Sequence, residues 1–211
     1  DQELEEENGY ADQIHNAIVH YNTNSLELST FASGGEIDGS LGIPAVCVEG
    51  VGRIAYPLCK EQGVTLSGVS SPMVPEREVE NRMAWEIDGS FVQLNEKWLC
   101  ESLPKLVTDS CKKLGVDAAK MNVKANLYKM QIYEEGGRFK KHHDTEKEPG
   151  MFGSLLIQLP AEHEGGQLVV HHEKEHKQFQ FNKESADKAF YTAFYTDCEH
   201  TLEPVTKGRR L

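Results

Sequence analysis

No apolar run in the 211 residues approaches the roughly 20 that a membrane-crossing helix needs, so no such helix is expected. No two of the five cysteines (Cys47, Cys59, Cys100, Cys111, Cys198) form a C-x-x-C pair, which argues against a zinc ribbon or a dithiol redox motif. Their odd number and wide scatter read as reduced thiols. Residues 1–8 are acidic and lack the basic start and apolar run of a secretory leader, so no export is indicated unless a leader was removed, and the expected compartment is the cytoplasm or nucleus. Positive charge is also scarce. Lys and Arg number 22 against 34 Asp and Glu, leaving a net charge of -12. Nucleic acid is therefore not an expected partner, since that affinity comes from clustered cations, and a basic or neutral peptide suits the surface better. There is no internal repeat and no low-complexity tract beyond the acidic start.

The length suits one domain with an N-terminal extension. Residues 1–44 read as that extension, with a short helix at 13–21 that sets Ile14, Ala17 and Ile18 on one side. Gly34, Gly35, Gly39, Gly42 and Pro44 interrupt any long element before a first strand at 45–48, continued at 53–55. Pro57 opens a helix over 58–66, residues 67–78 form a Ser- and Pro-rich loop, and 83–87 form a strand. Leu94, Trp98, Leu99, Leu103, Leu106, Val107 and Leu114 recur mostly at three- and four-residue steps, predicting an amphipathic helix kinked or divided at Pro104. After Gly115 the pattern changes to five strand-like runs, at 123–133, 152–159, 167–172, 177–181 and 189–196. The predicted fold class is α+β, mainly β, with helices bracing an antiparallel sheet or barrel.

The chemistry concentrates in that second half. Residues two apart in an extended run face the same side, so His142 and Asp144 share a face while His143 points away. An H-x-D triplet alone is a weak signal, and His200, after the apolar run at 189–195, supplies a candidate third ligand. Two imidazoles and one carboxylate on one face of an iron leave open positions that suit a bidentate 2-oxo acid and dioxygen. Arg210, ten residues on, is a planar cation matched to a distal carboxylate.

The stretch 127–211 resembles the prolyl 4-hydroxylase-like branch of the iron(II)- and 2-oxoglutarate-dependent oxygenases. The resemblance rests on Tyr133-x-x-Gly136-x-x-Phe139-x-x-His142-x-Asp144 and on Glu164-Gly165-Gly166-Gln167-Leu168. Phe194-Tyr195-x-Asp197-Cys198-Glu199-His200 and Pro204-Val205-Thr206-x-Gly208-x-Arg210 complete it. It implies a double-stranded β-helix, or distorted jelly roll, over 45–211, with a catalytic core at about 122–211. It further implies Fe(II) on His142, Asp144 and His200, with 2-oxoglutarate paired to Arg210 and hydrogen-bonded by Tyr133. Dioxygen, and ascorbate as an auxiliary reductant, complete the set. The implied reaction hydroxylates a C–H bond of a substrate, a prolyl or other peptidyl residue or a small molecule, with succinate and carbon dioxide as co-products. Loops 67–78 and 141–152 are the expected substrate contacts. In the family a further core strand follows the arginine, whereas this sequence stops at Leu211, so either the core is truncated there, which is the expectation, or the sheet is completed in another way.

Two other readings compete. His172-Glu173-Lys174-Glu175-His176 matches H-E-x-x-H, the helical zinc-protease motif. Its surroundings, apolar Leu168-Val169-Val170 before it and alternating Lys177-Gln178-Phe179-Gln180-Phe181 after it, instead predict the tip of a β-hairpin. The other alternative is a barrel of the same fold used only for binding. His15, His20, His143, His163, His171, His172 and His176 read as surface or loop histidines, Trp98 as core, and Trp85 as core or the barrel mouth.

Overall fold

The computed structural model describes residues 30–73 and 83–211. The acidic lead, the helix expected at 13–21 with His15 and His20, and positions 74–78 of the expected loop lie outside the described residues. In chain order the strands are β1 (Ala32–Glu36), β2 (Val46–Val48), β3 (Gly52–Arg53), β4 (Ser71–Pro72), β5 (Ala84–Asp88), β6 (Val92–Leu94), β7 (Lys129–Tyr133) and β8 (Phe139–His142). They continue as β9 (Gly153–Gln158), β10 (His163–Gly165), β11 (Leu168–His172), β12 (Glu175–Phe179), β13 (Phe190–Tyr195), β14 (Glu199–Leu202) and β15 (Val205–Gly208). Helices run over Lys60–Val69 and Leu103–Leu114, the second entered through a π-helical turn at Trp98–Ser102.

From β8 onward the chain passes back and forth between two antiparallel sheets, with β10 and β15 paired separately. One has the order β12-β11-β14-β8 and the other β1-β13-β9. The last two residues bridge β7 and the end of β9. Tyr133 and Arg210 exchange both backbone hydrogen bonds at 2.9 Å, and Leu159 N–H donates to the Leu211 carbonyl at 3.0 Å. Arg210 and Leu211 thus lie between β7 and the end of β9. Through β7 they join the β4-β5-β7 sheet to the rest.

Alternation along these strands decides what faces inward. Leu168 and Val170 of β11, Phe194 of β13, Leu202 of β14 and Tyr133 of β7 are all at most 2% exposed and pack between the sheets. Fully burying side chains of this size is worth about 1.5–3 kcal/mol each. The Leu103–Leu114 helix lays Leu106, Val107, Cys111 and Leu114 toward Ala189, Tyr191 and Ala193, on the opposite side of β13 from that core. Gly115, at φ 82°, ends the helix in the left-handed conformation. Leu66, Val46, Val48 and Val92 cover Ile87 and Ile132 of the β5-β7 pair. Helices therefore brace a sheet core, as the sequence pattern predicts.

Several local expectations are corrected. The Gly34-Gly35 pair, expected to break structure within an extension, belongs to β1, which pairs along its whole length with β13. The Lys60–Val69 helix starts two residues later than expected and runs into the predicted loop, of which Ser71–Pro72 is strand. Leu94 belongs to β6, paired with Val46, so the helical pattern from 94 starts too early. Pro104 falls just after the π turn, consistent with a ring that crowds the carbonyl four residues back. The strand expected from 123 begins only at Lys129, and the one expected over 177–181 is Glu175–Phe179. His163, expected in a loop, is on β10 and 4% exposed.

Candidate metal centre

β8 and β14 are neighbours, and their register puts His142 directly opposite His200. Asp144 follows His142 by two positions on the same side. The ligand atoms of His142, Asp144 and His200 all lie within 4.8 Å of one another, and this is the only such group among the described residues. His200 Nε2 is 3.8 Å from Asp144 Oδ1, and the two imidazole centroids are 4.4 Å apart. Phe139 meets both rings edge-on, at 5.0 Å for His142 and 5.4 Å for His200, while Phe194 lies 4.7 Å from His200.

The hydrogen bonds around the cluster orient its lone pairs. The Nδ1 side of His142 lies 2.8 Å from the Lys140 carbonyl and that of His200 3.4 Å from the Cys198 carbonyl. An Nδ1–H donated to each carbonyl leaves both Nε2 lone pairs free, the usual way a histidine ligand is prepared. Ser154 Oγ, on β9 of the facing sheet, donates to Asp144 Oδ2 and leaves Oδ1 toward His200. Burial pushes the His200 pKa down from 6.5, with the nearby His142 acting in the same direction and Asp144 against it. The net result favours the neutral, metal-binding form.

A second polar group lies deeper. Paired antiparallel residues point their side chains to one face, so Tyr133 and Arg210 project together. Arg210 is 8% exposed, and burial brings its pKa down to about 10. Its Nε donates to Gln158 Oε1 at 2.9 Å, and no carboxylate among the described residues pairs with it. Tyr133 Oη and Gln158 Nε2 are both buried without a hydrogen-bond partner. A buried guanidinium beside two unsatisfied donors is an arrangement that an anionic, multiply accepting ligand would complete.

Residues 128–211 match the family profile described as the 2OG-Fe(II) oxygenase superfamily. Over those residues the chain is similar to that superfamily. A search of curated proteins returns no match. Among solved structures, similarity is found to a prolyl hydroxylase from Trichoplax adhaerens in complex with a hypoxia inducible factor oxygen degradation domain peptide fragment. The identity is 15% and the TM-score 0.48, covering 99% of this chain and 89% of that one. A Pseudomonas putida prolyl-4-hydroxylase is similar at 14% identity and TM-score 0.46, covering 85% of this chain and 88% of that one.

The structure thus brings together His142, Asp144 and His200, the three residues expected to hold iron, and pairs Tyr133 with Arg210, the two expected to hold 2-oxoglutarate. The donor set fits a divalent iron, and the partnerless Tyr133 hydroxyl beside Arg210 fits a carboxylate. Three contributors escaped the sequence reading: Phe139 as a wall for both imidazoles, Ser154 as the group orienting Asp144, and Gln158 as the partner of Arg210. Ser154 and Gln158 share one face of β9, four residues apart. That spacing is visible in the sequence, but nothing in it says which face is inward. The rival H-E-x-x-H run is a hairpin tip in which His176 pairs with His171 and His172 with Glu175. His172 stacks on Phe31 at 5.5 Å on the inner side, so the two histidines of that motif point to opposite faces and cannot share a zinc.

Proposed function

We propose that the domain holds Fe(II) through His142, Asp144 and His200, holds 2-oxoglutarate through Arg210 and Tyr133, and hydroxylates a prolyl or other peptidyl residue. The observation that carries this is the conjunction of two imidazoles and a carboxylate within 4.8 Å with a buried arginine that lacks a carboxylate. Iron with 2-oxoglutarate and dioxygen supplies the oxidising power for C–H hydroxylation, releasing succinate and carbon dioxide. Every protein group then has a positional or electrostatic part. Ser154 keeps one Asp144 oxygen occupied and the other directed at the metal position. The Lys140 and Cys198 carbonyls fix the two imidazoles in the tautomer that leaves Nε2 free. Phe139 and Phe194 exclude water from the His200 side. Arg210 and Tyr133 anchor the cosubstrate at its far carboxylate and so set its reach.

The peptidyl substrate follows from the motif resemblance over 127–211 and belongs to the same proposal, as does ascorbate as an auxiliary reductant. All five cysteines are unpaired and three are exposed, in keeping with a reducing compartment, the cytoplasm or nucleus. Among the described residues no helix is long and apolar enough to cross a membrane. The test is incubation with Fe(II), 2-oxoglutarate and a panel of proline-containing peptides under air, read by mass spectrometry. Gain of one oxygen on a peptide, matched by succinate, supports the reading. Neither product under any condition would reassign the barrel to binding alone.

A further inference from the structure

The H-E-x-x-H run does not form a helical zinc site, yet the hairpin it makes sets up a different array on the outward face of the β12-β11-β14-β8 sheet. His176 is directly opposite His171, and His171 is directly opposite Glu199. Because His200 is opposite His142, the preceding Glu199 falls opposite His143. The register therefore lines up His143, Glu199, His171 and His176 in one row across the four strands, one per strand path. Opposed residues in antiparallel strands have Cβ atoms about 4.5–5.5 Å apart, so neighbours in the row can meet a common ligand.

The side chains are close pair by pair, although His171, His176 and Glu199 are not drawn together as tightly as His142, Asp144 and His200. The His171 and His176 rings are 5.8 Å apart between centroids and tilted by 34°, room for one ion at Zn–N distances of about 2.0–2.1 Å. His143 Nε2 is 3.7 Å from Glu199 Oε1. Lys141 forms an ion pair with the other Glu199 oxygen and is the cation now occupying that carboxylate. Burial, then Lys141 and His176, lower the His171 pKa, favouring an imidazole with a free lone pair. Val170 and His200 alternate with His171 and Glu199 on these strands and face the interior, so the row is on the reverse of the sheet from the iron ligands.

We propose that His171 and His176, with Glu199 as third ligand, form a second metal site, open to solvent, for an imidazole-seeking divalent cation such as Zn(II) or Cu(II). Two imidazoles and one carboxylate disfavour Mg(II) and Ca(II), which prefer all-oxygen shells. Binding takes Glu199 away from Lys141, so Lys141 is an internal competitor. The proposal does not depend on the iron assignment. The two separate cleanly, because no residue is shared.

The experiment titrates metal-stripped protein with Zn(II) by equilibrium dialysis and with Co(II) by visible absorption. Two equivalents are expected for the parent, one for His142→Ala, and one for the His171→Gln/His176→Gln pair, with circular dichroism unchanged. Groups that merely orient a metal ligand alter affinity by about 10- to 100-fold, so loss of either direct ligand should weaken this site at least tenfold. Lys141→Gln should strengthen it. An unchanged number of equivalents in the double variant, or no response to Lys141→Gln, would each overturn the proposal, whereas a single parent equivalent that the double variant loses and His142→Ala keeps would support it and count against the iron site.

Discussion

Replacing Tyr133 by Phe separates a cosubstrate-binding role from a structural one, because the two predict opposite signs. Tyr133 is 2% exposed and its hydroxyl has no hydrogen-bond partner. A hydroxyl buried without a partner costs about 1–3 kcal/mol by mutational measures. Its removal should therefore leave the ligand-free protein at least as stable, by an increment of up to about 1 kcal/mol once local relaxation is allowed. For a domain of this size that corresponds to a rise of about 2–4 °C in Tm. With 2-oxoglutarate present the sign reverses. A hydrogen bond to a charged carboxylate is worth about 1.5–3 kcal/mol, which is roughly 10- to 150-fold in affinity. The assay is thermal unfolding of metal-stripped protein without cosubstrate, paired with the apparent KM for 2-oxoglutarate of the iron-loaded protein. A Tyr133→Phe protein that melts several degrees lower and keeps the parent KM would refute the reasoning.

Further predictions concern other parts of the site and its frame. Arg210→Ala should raise the apparent KM for 2-oxoglutarate with a smaller effect on kcat, because the charge pair it removes is remote from the reacting atoms; steady-state kinetics at saturating iron would check this. Ser154→Ala should weaken Fe(II) affinity about 10- to 100-fold, the usual effect of a group that orients a ligand, read by dialysis. His163 is held neutral by burial, its pKa lowered from 6.5. The unfolded chain takes up that proton first as pH falls, so the stabilisation is complete above about pH 6.5 and declines below it, by at most about 1.4 kcal/mol per pH unit. His200 adds to the slope with the same sign, and His163→Gln should flatten denaturant-measured stability against pH. At Gly208, φ is 76° and a Cβ would sit 2.2 Å from the Glu162 carbonyl oxygen. Gly208→Ala should therefore destabilise by more than the ~1–2 kcal/mol of the left-handed conformation alone, measured by chemical unfolding.

Features set by short-range geometry were legible before the structure. His142 and Asp144 sit two apart in an extended run, and that spacing alone puts them on one side. The alternation flanking the H-E-x-x-H run predicted its hairpin. Features set by distant neighbours were not legible. Gly34 reads as a breaker, yet it is a close-approach strand residue: a Cβ there would sit 2.7 Å from the Tyr191 carbonyl oxygen and 2.8 Å from the Phe179 ring. Leu94 fits the helical spacing, but its pairing with Val46 on β2 draws it into a strand. His163 is buried by its bonds to Ala161 and Ser185, one of them 22 residues away, which no local pattern announces. Gln158 became the partner of Arg210 only once Arg210 was placed beside β9.

The central claim is that His142, Asp144 and His200 hold the iron on which 2-oxoglutarate turnover depends. Succinate formation from 2-oxoglutarate under Fe(II) and air, measured side by side in the parent, His200→Ala and His172→Ala proteins, tests it most directly. The account predicts succinate from the parent and from His172→Ala and none from folded His200→Ala. Turnover that survives in His200→Ala, or disappears in His172→Ala, would contradict it.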